Sequence, residues 1–324
     1  MMITEYNSAK IRWLSFGAIL CVVLGHCVSG DGILERLIMA IFAQWHVPWF
    51  YVVSGSMLSY SIERHTLQNC CTSRLKKLVL PYLLWCVIGF LVVGVLGGSQ
   101  ASIWEWLGIG TAFPVGNPHL WYLHCIIVFS FTSILVWKLS GLISIPYRLI
   151  WFVLGYCAIV ALAMVLKCTT LYGTPTSPFY FLVGFIVARC VLGETKRTSV
   201  ALICISLAVA AGLRCGWFLF DTHNLMEQIV RMLCVFVQIV ALWAGYDFAV
   251  VKLNLGERCC CVPWFVNSVF FVYCAHGFIL NTLKQLGLSG DMLLFVATIA
   301  LTLFLAWIMR RFALVAYSVL TGGR

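Results

Sequence analysis

The chain has 324 residues, of which 62% are hydrophobic and only 10% charged, with a formal net charge of +10 and a mean hydropathy of +1.00. Those proportions exclude a soluble globular domain and point to the polytopic membrane class. The positive balance does not point to nucleic acid, because the cations are spread over many short connections and form no single basic face.

A chain immersed in lipid must pair its backbone groups internally, as helices or as a closed barrel. Apolar runs of roughly 18–25 residues without two-residue alternation predict an all-α transmembrane bundle. In chain order the spans fall near 11–29, 38–62, 78–97, 119–138, 147–167, 178–193, 198–219, 229–248, 263–284 and 291–315, ten helices in all. The first run has no small-residue cleavage site behind it and reads as a retained helix, not a removed signal peptide. One set of helix ends carries Lys10, Arg12, Arg64, Arg74, Lys76, Lys77, Lys138, Arg148, Arg189, Lys196, Arg197, Lys252, Arg258, Arg310, Arg311 and Arg324. The other set carries only Arg36, Lys167, Arg214, Arg231 and Lys284. This asymmetry predicts cytoplasmic N- and C-termini. The longest connections, near 63–77 and 98–118, are too short for a core of their own, so residues 1–324 read as one membrane domain. No internal repeat of the kind built into secondary transporters is visible.

The first span places an imidazole, His26, in a run long enough to cross a bilayer, where an ionisable group is expensive and is read as functional by default. His26 follows Ser15 by eleven residues and Arg12 by fourteen. At about 100° per residue both offsets return to within about 40° of one helix face, and Arg12 and His26 stand roughly 21 Å apart along the axis. Arg12 is then either an inner flanking cation or the cytoplasmic end of a functional stripe, and His26 either a helix-end residue or a reaction group.

The second span opens with QWHVPWFYVVSGSML, residues 44–58, and sets His46 near the depth of His26. Pro48 is cheap at a helix start, and Ser54-Gly55 thins the helix enough for close packing. The surrounding aromatics equally suit an interfacial belt. In SRLKKLVLPYLLW, residues 73–85, Arg74 and Lys77 lie three apart ahead of the third span. There they serve either as positive-inside anchors or as a grip on phosphates, Arg bidentately and Lys as a point charge.

The sixteen cysteines are mostly single and within spans, and none has zinc-ligand spacing, so no metal is expected. Cys27, Cys168 and Cys215 sit near outward ends, where pairing is open. His119 and His124 face away from one another at about 500° of turn and make no metal pair. Trp104, Trp106, Trp121 and Tyr122 suit an aromatic belt or a sugar-stacking surface. Asp31, Glu35, Glu105, Asp221 and Glu227 on the outward side, with His65 and His223, read as solvated connection residues.

The series LSFGAILCVVLGH (14–26), WHVPWFYVVSG (45–55), RLKKLVLPYLLW (74–85), HLWYLHCIIVF (119–129), FYFLVGFIV (179–187) and FVYCAHGFIL (271–280) resembles, in order and spacing, the membrane acyltransferase family 3. The resemblance implies an integral enzyme of roughly ten helices that O-acylates sugars, glycans or lipid-linked saccharides at the outer face with acyl groups from cytoplasmic acyl-CoA. It implies catalytic roles for His26 and His46, donor contacts for Arg74 and Lys77, and supporting or substrate contacts for Tyr273 and His276. Trp121 is a further substrate candidate. In one respect the chain departs from the family, which usually keeps Arg or Lys eleven residues before the first histidine. That position is Ser15 here, and Arg12, one turn away on nearly the same stripe, is the candidate replacement for donor contact.

On this reading His26 takes the proton of an acceptor hydroxyl as its oxygen attacks the thioester. His46 or His276 orients the base, binds acceptor or steadies the oxyanion. Partners are then acyl-CoA, the saccharide acceptor and the bilayer, in a cell membrane, with no nucleic acid. A transporter or flippase of sugar-lipids, and a catalytically inactive family member, are the competing readings.

Overall fold

The computed structural model describes residues 4–28, 45–95, 101–109, 113–143, 147–168, 174, 176–191, 225–253 and 262–323. All regular structure among the described residues is helical. In order these helices are α1 (Glu5–Cys27), α2 (His46–Arg64), α3 (Leu67–Arg74), a π-helical turn at Leu75–Val79, α4 (Leu80–Gly89) and a second π-turn at Phe90–Val95. The short α5 (Ile103–Trp106) and a 3-10 turn at Pro118–Leu120 lead into α6 (Trp121–Ile143), α7 (Arg148–Val165) and α8 (Ser177–Val191). Then come α9 (Leu225–Lys252), a 3-10 turn at Val266–Ser268, α10 (Val269–Gln285), α11 (Asp291–Phe312) and α12 (Leu314–Thr321).

Among the described residues seven helices are long and apolar enough to cross a bilayer: Glu5–Cys27, Leu67–Gly94, Pro118–Leu142, Arg148–Val165, Ile229–Lys252, Val266–Gln285 and Asp291–Phe312. The protein is thus an all-helical, multi-pass membrane protein. Each of the seven answers to one of the ten expected spans. Ser177–Ala188 is apolar but shorter, and α2 covers the latter part of the expected span 38–62. The expected span 198–219 lies outside the described residues.

The chain divides into two compact units. Unit one comprises Met1–Phe50, Arg189–Val269 and Thr282–Leu301. In it, α1 starts at an N-cap where the Thr4 side chain accepts from the Asn7 N–H at 3.1 Å, satisfying one of the donors a helix start leaves over. Trp13 and Phe16 of α1 pack edge-on against Phe265.

Unit two comprises Tyr51–Ala188, Phe270–Asn281 and Thr302–Arg324. Its interior is aromatic: Tyr51, Phe129 and Phe181 form one chain of ring contacts. Trp137, Phe152 and Phe185 form another. The expected thinning at Ser54-Gly55 is used fully. A Cβ at Gly55 would collide with the Phe181 carbonyl, and one at Gly184 with the Val52 carbonyl, so α2 and α8 touch backbone to backbone. The Ser56 hydroxyl donates to the Gly184 carbonyl at 2.9 Å across the same crossing. Small residues that let backbones approach are the usual means of packing where lipid removes the hydrophobic drive.

Candidate functional site

Unit one holds Arg12, His26 and His46. The Arg12 guanidinium is exposed and donates to Asn267 Oδ1 at 3.3 Å and to Ser8 Oγ at 3.2 Å, so it is held beside the start of its own helix. Ser15 is occupied otherwise: its hydroxyl accepts from Trp49 Nε1 at 3.0 Å. His26 is exposed in the last turn of α1, and its carbonyl accepts from Lys284 Nζ at 3.4 Å. His46 begins α2 half-buried, with its Nδ1 enclosed and without a hydrogen-bond partner among the described residues. Buried polar atoms are paired in the great majority of cases, so this nitrogen calls for a partner.

The same unit contains a charge site that the cation tally passes over. Lys10 is 1% exposed, and its Nζ donates to Asp247 Oδ1 at 2.7 Å while sitting 3.8 Å from the Trp243 ring centre. The Tyr6 hydroxyl donates to the same carboxylate oxygen at 2.6 Å. Lys10 is therefore an interhelical ion-pair partner, not only a topology residue.

Unit two assembles a histidine pair at the junction of α6 with α10. His276 is fully buried, and its Nδ1 lies 2.7 Å from the Tyr273 carbonyl and 3.1 Å from that of Val272. Both are acceptors only, so Nδ1 carries a hydrogen, and when the ring is neutral Nε2 carries the lone pair. The His119 ring lies against it with centroids 4.8 Å apart. That approach requires glycine at 277, because a Cβ there would overlap the His119 imidazole, its Nε2 being only 2.8 Å away.

Three further contacts fix the junction. The Tyr273 hydroxyl donates to the His119 carbonyl and accepts from the Leu123 N–H at 3.3 Å, capping the first turn of α6. Asn117 Nδ2 donates to the Cys274 carbonyl at 2.9 Å. The Tyr122 ring packs edge-on against Tyr273, at 5.6 Å.

His119 and His124 each have a partner elsewhere. The Tyr82 hydroxyl donates to the Leu107 carbonyl at 2.6 Å, so at 3.2 Å the His124 Nδ1 is the donor to the Tyr82 oxygen. His119 is a candidate that spacing along its own helix misses, because its partner is on another helix. The HLW series that carries the family resemblance was its only signal.

Arg74 ends α3 half-buried, while Lys77 is exposed within the π-turn. The widened turn carries the two further around the axis from one another than an α-helix does. Trp121 is half-buried between Phe113, at 6.0 Å, and Tyr122, at 6.5 Å. Trp106 is neither belt nor sugar platform: it is buried against Phe90, with its Nε1–H on the Ala101 carbonyl at 3.1 Å. Trp104 is 61% exposed. Glu105 accepts from the Ser102 backbone N–H and hydroxyl, which hold its carboxyl below the usual range. Cys27 is a buried free thiol. Cys215, Asp31, Glu35, Asp221 and His223 lie outside the described residues, as does the side chain of Glu227.

Comparison with known protein families matches residues 9–311 to an acyltransferase domain, acyltransferase 3. No curated protein and no solved structure matches the chain. The matched region takes in most of both compact units and all the candidate site residues, and on that basis the chain belongs to acyltransferase family 3.

Proposed function

We propose that the protein is a membrane O-acyltransferase. It moves an acyl group, acetyl foremost, from cytoplasmic acyl-CoA to a hydroxyl of a sugar, glycan or lipid-linked saccharide at the outer side of the cell membrane. Ten spans with both termini cytoplasmic are the topology that the Lys and Arg distribution favours. Family membership supports acyl transfer. The observation that carries the reading further is the exposed imidazole of His26 at the end of a helix whose second half, residues 16–25, is apolar.

In the proposed step His26 takes the proton of the acceptor hydroxyl while that oxygen bonds to the thioester carbon. The C–S bond then breaks, and the thiolate leaves and is protonated to free coenzyme A, with the ester as the other product. Arg74 and Lys77 meet donor phosphates, Arg12 being a further donor contact, and Trp121 offers a ring face to the acceptor. The enclosed Nδ1 of His46 supports a substrate contact there. In unit two the fixed tautomer of His276 supports a role as acceptor of a hydrogen bond through Nε2, with His119 and Tyr273 holding its surroundings.

The test is transfer of labelled acetyl from acetyl-CoA by the full-length protein in detergent to a panel of saccharides. Wild type should label at least one acceptor, and His26→Ala should lower the rate by about 100- to 10,000-fold, the usual contribution of a general base. Equal behaviour of the two proteins, with no acceptor labelled by either, overturns the assignment.

A further inference from the structure

The family match ends at residue 311, yet the chain goes on into α12, and α12 is built into unit two. The backbone turns at Ala313 (φ −140°, ψ 49°). The new helix then lays Tyr317, 2% exposed, on Phe271 with ring centroids 5.5 Å apart and planes 27° from parallel. The Arg310 guanidinium lies over the Tyr317 ring at 5.5 Å.

The end of α12 is closed from two sides. Gly322, in the left-handed region at φ 69°, and Gly323 donate back to the Val319 and Ser318 carbonyls at 3.3 and 2.7 Å. These are the paired bonds of a Schellman cap. Trp85 Nε1–H of α4 donates to the Leu320 carbonyl at 3.1 Å, one of the acceptors that a helix end leaves over.

The cap rests on the basic turn. A Cβ at Gly322 would stand 2.5 Å from the Lys77 carbonyl oxygen and 2.8 Å from the Lys77 Cα, so glycine meets backbone directly. In an α-helix the Lys77 carbonyl would accept from the residue four further on, but that residue is Pro81, which has no N–H. The Gly322 backbone meets this same oxygen, at a place where the helix has no α-type donor to offer. The π-turn Leu75–Val79, a departure that often marks a functional position, is thus met at the Lys77 backbone by a segment from the far end of the chain.

We propose that α12 and its glycine cap are a brace that holds the Arg74–Lys77 turn in one backbone shape, presenting its cations to the phosphates of the acyl donor already arranged. This rests on the reading of Arg74 and Lys77 as donor contacts. Gly322 and Trp85 are positioning residues in this scheme and touch no reacting atom.

The test uses full-length protein in detergent with Gly322→Ala, Trp85→Phe, Gly323→Ala and the double variant Arg74→Ala/Lys77→Ala. Gly323→Ala controls for backbone strain, because Gly323 also has positive φ (75°) but a Cβ there meets nothing within 4 Å. Tryptic cleavage after Lys76 and Lys77 reads the brace without reference to any ligand. KM for acetyl-CoA against kcat, with coenzyme A binding alongside, reads its purpose.

Gly322→Ala and Trp85→Phe should each speed cleavage and raise KM about fivefold, the size of one ordinary hydrogen bond, with kcat unchanged. Gly323→Ala should change cleavage less than about twofold, and a full effect from it would assign the result to strain and overturn the brace. Unchanged cleavage in both Gly322→Ala and Trp85→Phe also overturns it, whatever the donor. Faster cleavage with unchanged KM, while Arg74→Ala/Lys77→Ala raises KM, overturns the positioning role alone. Unchanged coenzyme A affinity in Arg74→Ala/Lys77→Ala overturns the donor reading, and the cleavage rates still decide the brace.

Discussion

Replacing Lys10 by methionine removes the ammonium that joins α1 to α9. Asp247 Oδ1 accepts from Lys10 Nζ at 2.7 Å and from the Tyr6 hydroxyl at 2.6 Å, and its side chain is 12% exposed. Lys10→Met leaves that carboxylate with Tyr6 alone, and breaking one side of a buried pair costs about 3–5 kcal/mol. The contact of Lys10 with Trp243 falls within that figure, at up to about 2 kcal/mol when desolvated. Asp247→Leu strands the ammonium and should cost a similar amount. The double variant Lys10→Met/Asp247→Leu removes both charges and should lose far less than the two singles together, a coupling of roughly 2–3 kcal/mol. The assay is unfolding of the four proteins by titration with a denaturing detergent, followed by helical circular dichroism. A coupling no larger than about 0.6 kcal/mol, the average for hydrogen bonds between membrane helices, would refute the view that this pair fixes α1.

Gly277→Ala should push the His119 ring off His276 and lower transferase activity at least about tenfold, with a stability loss of about 1–3 kcal/mol from overpacking; activity and unfolding midpoint are measured on one preparation. Gly55→Ala and Gly184→Ala should each destabilise by about 1–3 kcal/mol or more. Gly245→Ala, where a Cβ meets nothing within 4 Å, should show no such loss in the same titration. Tyr273→Phe leaves the Leu123 N–H and the His119 carbonyl without their shared hydroxyl and should cost about 1–3 kcal/mol. The Glu105 carboxyl lies below its unfolded value, so its bonds to Ser102 stabilise the α5 turn fully above the ordinary carboxylate range. That contribution is lost as pH falls through the depressed value, and amide exchange at Trp106 should quicken there; exchange without such a step would contradict the assignment.

The membrane class and most of the spans were legible because hydropathy accumulates along a continuous run and needs no knowledge of neighbours. Ser54-Gly55 was legible for the same reason: small adjacent residues announce close packing even when the partner helix is unknown. Lys10 was not, since a lysine that sets orientation and one that meets Asp247, 237 positions away, look identical in sequence. His119 was hidden in the same manner. Spacing weighed only His124 as its neighbour, and nothing local pointed to His276. The π-turn beneath Lys77 comes with Pro81, which was visible, and with the tail glycines, whose contact was not. Local rules therefore recovered helices and their faces, while the pairings that build the candidate site depend on contacts distant in sequence.

The crossing of α2 with α8 has a consequence for synthesis. Ser56 and its partner Gly184 are 128 positions apart. At about 5–20 residues per second the ribosome needs roughly 6–26 s to make the intervening chain. For that interval the notch at Gly55 stands in the bilayer without the backbone it is shaped to receive. A nascent chain arrested in this window would present an open small-residue groove, a point at which quality-control proteases or a membrane chaperone could distinguish an unfinished copy from a finished one.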